Sequence, residues 1–472
     1  MKTYPIYCGG EFITTDTKLP VTCSFDDKVF AETYMAGLKE LEIAIEKGLT
    51  VKKQMAEMPS YKKYEALLQI SNELLRRKNE IAEVLSLEAC KPIKLAIGEV
   101  DRAAQTFIAA AEESKRIPGH TMSIDWAPHG EGKEGIVKYF PVGLVAGIAP
   151  FNFPLNLPAH KVAPALASGN PIIIKPARKT PLSLLLLAEI IDKTSFPKGC
   201  LSVLPMDRVS GNMLVTDPRF AKLTFTGSAE VGWAMKAMCG KKRITLELGG
   251  NAGVIVTPSS DLKNAVQKCV GGAYAYAGQV CIHAQRLYVH ESVYDAFLAE
   301  FKEQASRLKT GHPMEESTQV SAMIDKENAE RVEQWVNEAV AQGAKLEMGG
   351  TREGNLYYPT LLSNVKNTMK VSCQEVFGPV TSIEKYNDFE DAVQRLNNSD
   401  FGLQAGVFTN LLSEMNYAFS HIEAGGVMIN EVPTFRVDHM PYGGVKDSGF
   451  GREGVRYAMM EMLEPKLLVK NV

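Results

Sequence analysis

The chain has 472 residues, a formal net charge of -3, 45% hydrophobic and 23% charged residues. That length exceeds one simple core and points to two or three domains, while the near-neutral balance offers no general attraction to nucleic acid or anionic membrane. The greasiest runs, Leu182–Leu187 and Val142–Pro150, are far shorter than the ~20 residues that span a bilayer, and Met1–Gly10 lacks the apolar core of a signal peptide, so a cytoplasmic location is expected.

From about Glu40 to Lys115 the pattern predicts helices, because Leu67, Ile70, Leu74, Ile81 and Leu85 recur at helical spacing among Lys, Arg and Glu. After Pro118 the period changes. Ile136–Phe140 reads as a strand, and Gly130, Gly132 and Gly135 nearby predict a hairpin arm. Strands then alternate with helices: Leu144–Ile148 before Ala159–Ala167, Pro171–Lys175 before Leu182–Ile191, Leu201–Leu204 before Gly211–Thr216, and Ala221–Phe225 before Val231–Met238. Such repetition predicts a parallel sheet covered on both faces. It resumes after Glu247 with a strand at Ala252–Val256 and a helix at Leu262–Tyr276, and it closes on a strand at Lys466–Lys470. Two α/β units are expected rather than one oversized sheet.

Three groups carry the chemistry. Cys281 stands in Ala277–Ile282, Glu247 ends the apolar strand Ile244–Leu246 beside Gly249 and Gly250, and Asn152 lies between Phe151 and Phe153 in a loop bounded by Pro150 and Pro154. Thiol, carboxylate and side-chain amide are the groups needed to attack an aldehyde, hold the oxyanion and hydrolyse a thioester. An ordinary thiol has a pKa of about 8.5, so the site must favour the thiolate or supply a base. The other seven cysteines read as small buried hydrophobes. None of the eight has paired metal-type spacing, so no metal is expected.

With these motifs in order, the sequence resembles the aldehyde dehydrogenase superfamily over nearly its whole length, roughly Phe12 to Lys470. The resemblance implies an α/β fold: a Rossmann-like cofactor domain at 1–121 and 141–247, an α/β catalytic domain at 248–446, and a small β oligomerisation arm with a C-terminal segment at 122–140 and 447–472. It implies NAD(P)-dependent oxidation of an aldehyde to an acid in a homodimer or homotetramer. Cys281 would be the nucleophile, Asn152 the oxyanion donor, Glu247 the base for thioester hydrolysis and Lys161 a residue of site organisation and proton movement. Glu453 would be either a proton-relay carboxylate or half of a structural salt bridge.

No Gly-x-Gly-x-x-Gly fingerprint follows any strand. The resemblance instead implies a cofactor site with Lys175 at the adenosine ribose and Gly227–Ser228 near the pyrophosphate. Glu375 would meet the nicotinamide ribose, with Phe377 packing beside that ring. Phe151, Ala177, Gly211, Phe225, Thr226, Leu248 and Gly249 complete this expected set. Many NAD-using relatives have a glutamate where this chain has Arg178, and a guanidinium can pair with a 2′-phosphate. Either NADP is therefore accepted, or Arg178 faces solvent and NAD is used regardless.

Arg102, His160, His283, Arg436 and His439 are candidates for the active-site mouth. The stretch Asp438–Gly444 resembles a branch handling small, often hydroxylated or anionic aldehydes, which makes Arg102, His160 and Arg436 candidate substrate residues. Branches that pass the acyl group to coenzyme A generally lack the glutamate at position 247, so release of a free acid is favoured. A catalytically silent protein on the same fold is the remaining alternative, against which Cys281, Asn152 and Glu247 all stand.

Overall fold

A computed structural model describes residues 1–471. In its first α/β unit, Leu201–Val203, Ile172–Lys175, Val145–Ile148, Lys222–Thr226 and Arg243–Glu247 lie side by side in that order, all parallel. The chain thus winds outward from Val145–Ile148 in one direction and then in the other. Every residue of Val145–Ile148, Leu201–Val203 and Lys222–Thr226 is buried, which is why these strands read as continuous runs rather than alternating ones. The point of reversal, at the carboxyl ends of Val145–Ile148 and Lys222–Thr226, is where such sheets open a ligand crevice.

Short antiparallel pieces complete this sheet. Ile6–Cys8 and Glu11–Ile13 extend one edge, and Gly449–Phe450 closes the other beside Glu247. Lys2–Thr3, Lys28–Tyr34 and Lys18–Cys23 form a separate small sheet that the periodicity did not announce. The helical stretch resolves into Leu38–Glu57, Ser60–Arg76, Lys78–Ala89 and Ile93–Ser114.

Two helices follow from burial. Leu182–Asp192 is the apolar run of the sequence, enclosed in the core, and no helix among the described residues is long and apolar enough to cross a membrane. Asn156–Ser168 is buried at every position. Its polar residues Asn156, His160 and Lys161 therefore need tertiary partners, since an unpaired buried polar group costs ~1–3 kcal/mol.

The second unit carries Thr360–Ser363, Val380–Tyr386, Arg286–His290, Gly253–Val256, Gln404–Phe408 and Gly426–Ile429 in parallel, with Lys345–Met348 antiparallel at one edge. The helix expected to reach Tyr276 stops at Tyr274. Ala275–Gly278 is instead a tight turn in which Tyr276 and Ala277 both adopt φ near +52°.

A further sheet pairs Gly119–Ser123 with Lys133–Pro141 and the latter with Leu463–Asn471, all antiparallel. It leaves Met122, Phe140, Leu467, Leu468 and Val469 exposed. The architecture is the expected one, two α/β units and a small β arm.

Candidate active site

The strained turn before Cys281 is pinned from several sides. A Cβ on Gly278 would lie 2.1 Å from the Gly378 carbonyl oxygen, so only glycine fits there. The Tyr276 hydroxyl donates to the Ala89 carbonyl at 2.7 Å, and the buried Gln279 Oε1 accepts from the Ile324 amide at 2.9 Å. Two consecutive non-glycine residues at positive φ persist only where surroundings over-determine them. The outcome is a half-buried Cys281 facing a cavity of about 450 Å³.

Its Sγ lies 3.1 Å from the Tyr442 hydroxyl, a contact the sequence reading missed. Burial pushes the thiol up to about 12, with the Tyr442 hydroxyl acting the other way.

Asn152 lines the same cavity. Its Nδ2 donates to the Gln279 carbonyl at 2.9 Å, and its buried Oδ1 has no partner. An amide nitrogen carries two hydrogens, so one remains for an oxyanion.

Glu247 sits behind the cavity lining at the end of Arg243–Glu247, paired in register with Thr226 and Gly449. Both of its carboxylate oxygens are buried without a hydrogen bond. Burial, with the charge of Glu453 added, holds its pKa well above the ordinary carboxylate range. A Cβ on Gly443, at φ +150°, would come within 2.9 Å of Glu247 Oε1, so this glycine admits the carboxylate.

Around Glu247 several buried polar groups pair with one another. Lys161 Nζ reaches Glu453 Oε1 at 2.9 Å, Thr226 Oγ1 at 2.7 Å and Thr224 Oγ1 at 3.2 Å. Burial opposes the Glu453 charge, but Lys161, His160 and Arg436 outweigh it and hold that carboxyl below its usual range. Arg436 lies 3.6 Å over the Tyr442 ring and 3.5 Å from Glu453 Oε2, while its buried Nε has no partner. Asp438 gathers Arg102 Nη2 at 2.8 Å, Asn156 Nδ2 at 3.1 Å and His160 Nε2 at 2.8 Å. His160 therefore stands behind the site rather than in it. His439 is exposed. His283 needs correction: it is buried in the second unit, its Nε2 bonded to the Ala273 carbonyl, and burial lowers its pKa to about 4. A buried ring satisfied by the backbone is a core histidine, not a residue of the mouth.

The cavity opens at the crevice of the first sheet. Phe151, Thr226, Gly227, Ser228, Leu248, Gly249, Glu375 and Phe377 line it. Ser228 caps the helix Ala229–Met238 without a side-chain hydrogen bond, which leaves that N-terminus favourable for phosphate. Glu375 Oε1 accepts from the Gly250 amide at 2.9 Å, burial raises its pKa to about 7, and a Cβ on Gly249 would strike its Oε2 at 2.3 Å. Phe377, at φ +46°, meets Phe151 edge to face at 5.8 Å.

Lys175, Ala177, Arg178 and Gly211 lie outside this lining, and Phe225 packs beneath Gly227. Lys175 runs against Gly211, where a Cβ would sit 3.0 Å from its Cδ; burial lowers its pKa. Arg178 is exposed, whereas Lys179 is held by Asp325 at 3.0 Å. Asn328, Arg331 and Trp335 also line the cavity and were missed. They share one face of the helix Lys326–Ala341, but nothing in a helical period says what that face meets. A groove with a glycine turn, a free helix N-terminus and a carboxylate at its inner end fits a dinucleotide. A second cavity of about 260 Å³, around Leu95, Val270 and Tyr274, has no cysteine in its lining.

Known proteins resemble this chain over nearly its whole length. The Aldehyde dehydrogenase family matches residues 12–468. A 3-sulfolactaldehyde dehydrogenase of Priestia aryabhattai is 42% identical over 100% of this chain and 99% of its own length. A lactaldehyde dehydrogenase of Methanococcus aeolicus is 38% identical over 99% of this chain and 100% of its own. Among solved structures, aldehyde dehydrogenase 21 of Physcomitrella patens, in complex with the reaction product succinate, superposes with a TM-score of 0.98 at 46% identity, covering 100% of this chain and 98% of that one. The glyceraldehyde-3-phosphate dehydrogenase GapN of Methanocaldococcus jannaschii, complexed with NADP, gives 0.92 at 36% identity, covering 96% and 99%. The chain belongs to the aldehyde dehydrogenase family and is an NAD(P)-dependent enzyme that oxidises an aldehyde.

Proposed function

We propose that the substrate is a small aldehyde bearing an anionic group, sulfonate or carboxylate, with a hydroxyl tolerated beside the carbonyl. The observation that carries this reading is Arg436: a buried guanidinium near Cys281 whose Nε has no partner among the described residues. A buried charge-assisted donor without an acceptor is costly unless a ligand fills it. Arg102 is compensated by Asp438, so it contributes less. The substrate name of the sulfolactaldehyde relative and the succinate in the plant structure support the anionic group, and that of the lactaldehyde relative supports only the hydroxyl.

In this reading Cys281 attacks the aldehyde carbon, and the Asn152 amide holds the resulting oxyanion. A nicotinamide dinucleotide bound in the groove would supply the hydride acceptor, and Glu375 and Phe377 are the residues that would hold its ribose and ring side. Glu247 then takes a proton from the water that hydrolyses the Cys281 thioester, with Lys161 and Glu453 as the adjoining pair through which that proton leaves. Glu247 also argues against acyl transfer to coenzyme A.

A panel of 3-sulfolactaldehyde, succinate semialdehyde, lactaldehyde and propanal, followed by absorbance of reduced nicotinamide, tests the substrate class. Arg436→Ala should raise KM for the two anionic aldehydes about ten- to hundredfold, the worth of one charge-assisted hydrogen bond, and change propanal little. Equal KM shifts for charged and neutral substrates would refute the anion reading. Run with both cofactors, the same panel reads Arg178: exchange to glutamate should weaken NADP about tenfold and leave NAD unchanged.

The exposed apolar residues of the arm support a homodimer or homotetramer joined through that sheet, since a lone exposed ribbon with open edges is marginal. Sedimentation should give two or four chains, and a monomer at micromolar concentration would exclude it.

A further inference from the structure

The loop bearing Asn152 is anchored by a buried ion pair that belongs to none of the groups considered so far. Lys91 follows Cys90, which ends the helix Lys78–Ala89 in the left-handed conformation, and precedes Pro92. Its side chain is thereby directed inward and is 1% exposed. Nζ donates to the Asn152 carbonyl at 2.6 Å and pairs with the Glu99 carboxylate. Glu99 Oε1 in turn accepts from the amides of Leu155 and Asn156, at 3.0 and 3.1 Å, the two residues that open the buried helix Asn156–Ser168. The ammonium also sits between two aromatic faces, 3.8 Å from the Phe153 ring centroid and 4.3 Å from that of Tyr276. One cation thus touches the Asn152 loop on one side and the turn leading to Cys281 on the other.

A buried pair of this kind is a poor source of stability, because desolvation offsets most of the attraction. Its directional contacts all converge on residues 152–156 and on Tyr276. We propose that Lys91 and Glu99 are positioning residues that hold the Asn152 amide and the Cys281 turn at the separation the oxyanion requires. The proposal rests on Asn152 being the oxyanion donor. Loss of either charge would let the loop relax by a fraction of an ångström, enough to weaken a hydrogen bond formed only in the transition state.

The test is a mutant cycle on the full-length enzyme. Lys91→Met combined with Glu99→Gln strands no charge and keeps the Oε1 acceptor for the two amides. Single-turnover formation of reduced nicotinamide should fall ten- to hundredfold, with cofactor binding, read by fluorescence titration, within about twofold of wild type. In an Asn152→Ala background the same pair of changes should cost less than about threefold, because the donor they position is gone. The same fold-loss in both backgrounds, or none in either, overturns the proposal. If the combined variant does not fold, Glu99→Gln alone is run through the same cycle against the same criterion. A fully active Asn152→Ala enzyme would instead refute the parent assignment of Asn152, and the positioning role with it.

Discussion

Cys281→Ala should lower turnover at least 10⁴-fold, about 5.5 kcal/mol of barrier, and leave no burst of reduced nicotinamide. The size follows from the absence of a substitute. Cys281 is the cysteine lining the cavity, and Asn152 and Glu247 can only assist a bond that its sulfur forms. The side chain is half-buried and its only polar contact among the described residues is the Tyr442 hydroxyl, so the change leaves the fold and the cofactor groove intact. Melting temperature and cofactor affinity should therefore match wild type. An alanine variant retaining more than 1% of the activity would show that another group attacks the aldehyde.

Glu247→Gln separates the two halves of the reaction. Cys281, Asn152 and the cofactor groove are untouched, so a burst of one equivalent of reduced nicotinamide should persist. Steady-state turnover should fall about 10³-fold, or about 4 kcal/mol, within the usual worth of a general base. The pH dependence carries a sign. Burial and the neighbouring Glu453 raise the Glu247 pKa, and only the ionised carboxylate can take a proton from water. Hydrolysis in the wild type therefore quickens as pH rises through the raised value and levels off above it. In the glutamine variant hydroxide is the remaining attacker, and the plateau should vanish. Steady-state rates across pH 6 to 10, with stopped-flow bursts at each point, decide it; a variant with wild-type turnover would remove Glu247 from the role of base.

Much of the frame was legible before any coordinates. The strands Val145–Ile148, Ile172–Lys175 and Lys222–Thr226 are buried on both faces, so composition alone betrayed them, and the helices Asn156–Ser168 and Leu182–Asp192 between them are themselves enclosed in the core. Asn152 and Gly227–Ser228 are legible for the same reason, since each follows one of these strands where the chain must leave the sheet at the ligand edge, whereas Cys281 follows the turn Ala275–Gly278. What escaped was short or nonlocal. Ile6–Cys8 and Glu11–Ile13 are three-residue strands, too brief for a period to register. Arg331 and Trp335 resemble any solvated helix face until the cofactor groove is set against them. His283 was misread because a histidine beside a catalytic cysteine in sequence need not share its cavity.

The sequence by itself determined which chemical groups are present and the order of α/β alternation that carries them to strand ends. Those are local properties, set by side-chain identity and backbone period. Only the tertiary structure decided that Tyr442 meets Cys281, that Lys91 and Glu99 brace the Asn152 loop, and that Asp438 neutralises Arg102 while Arg436 keeps a free donor. It also decided the direction of the pKa shifts, since a pKa depends on how completely water is excluded and on which charges fold back from distant parts of the chain.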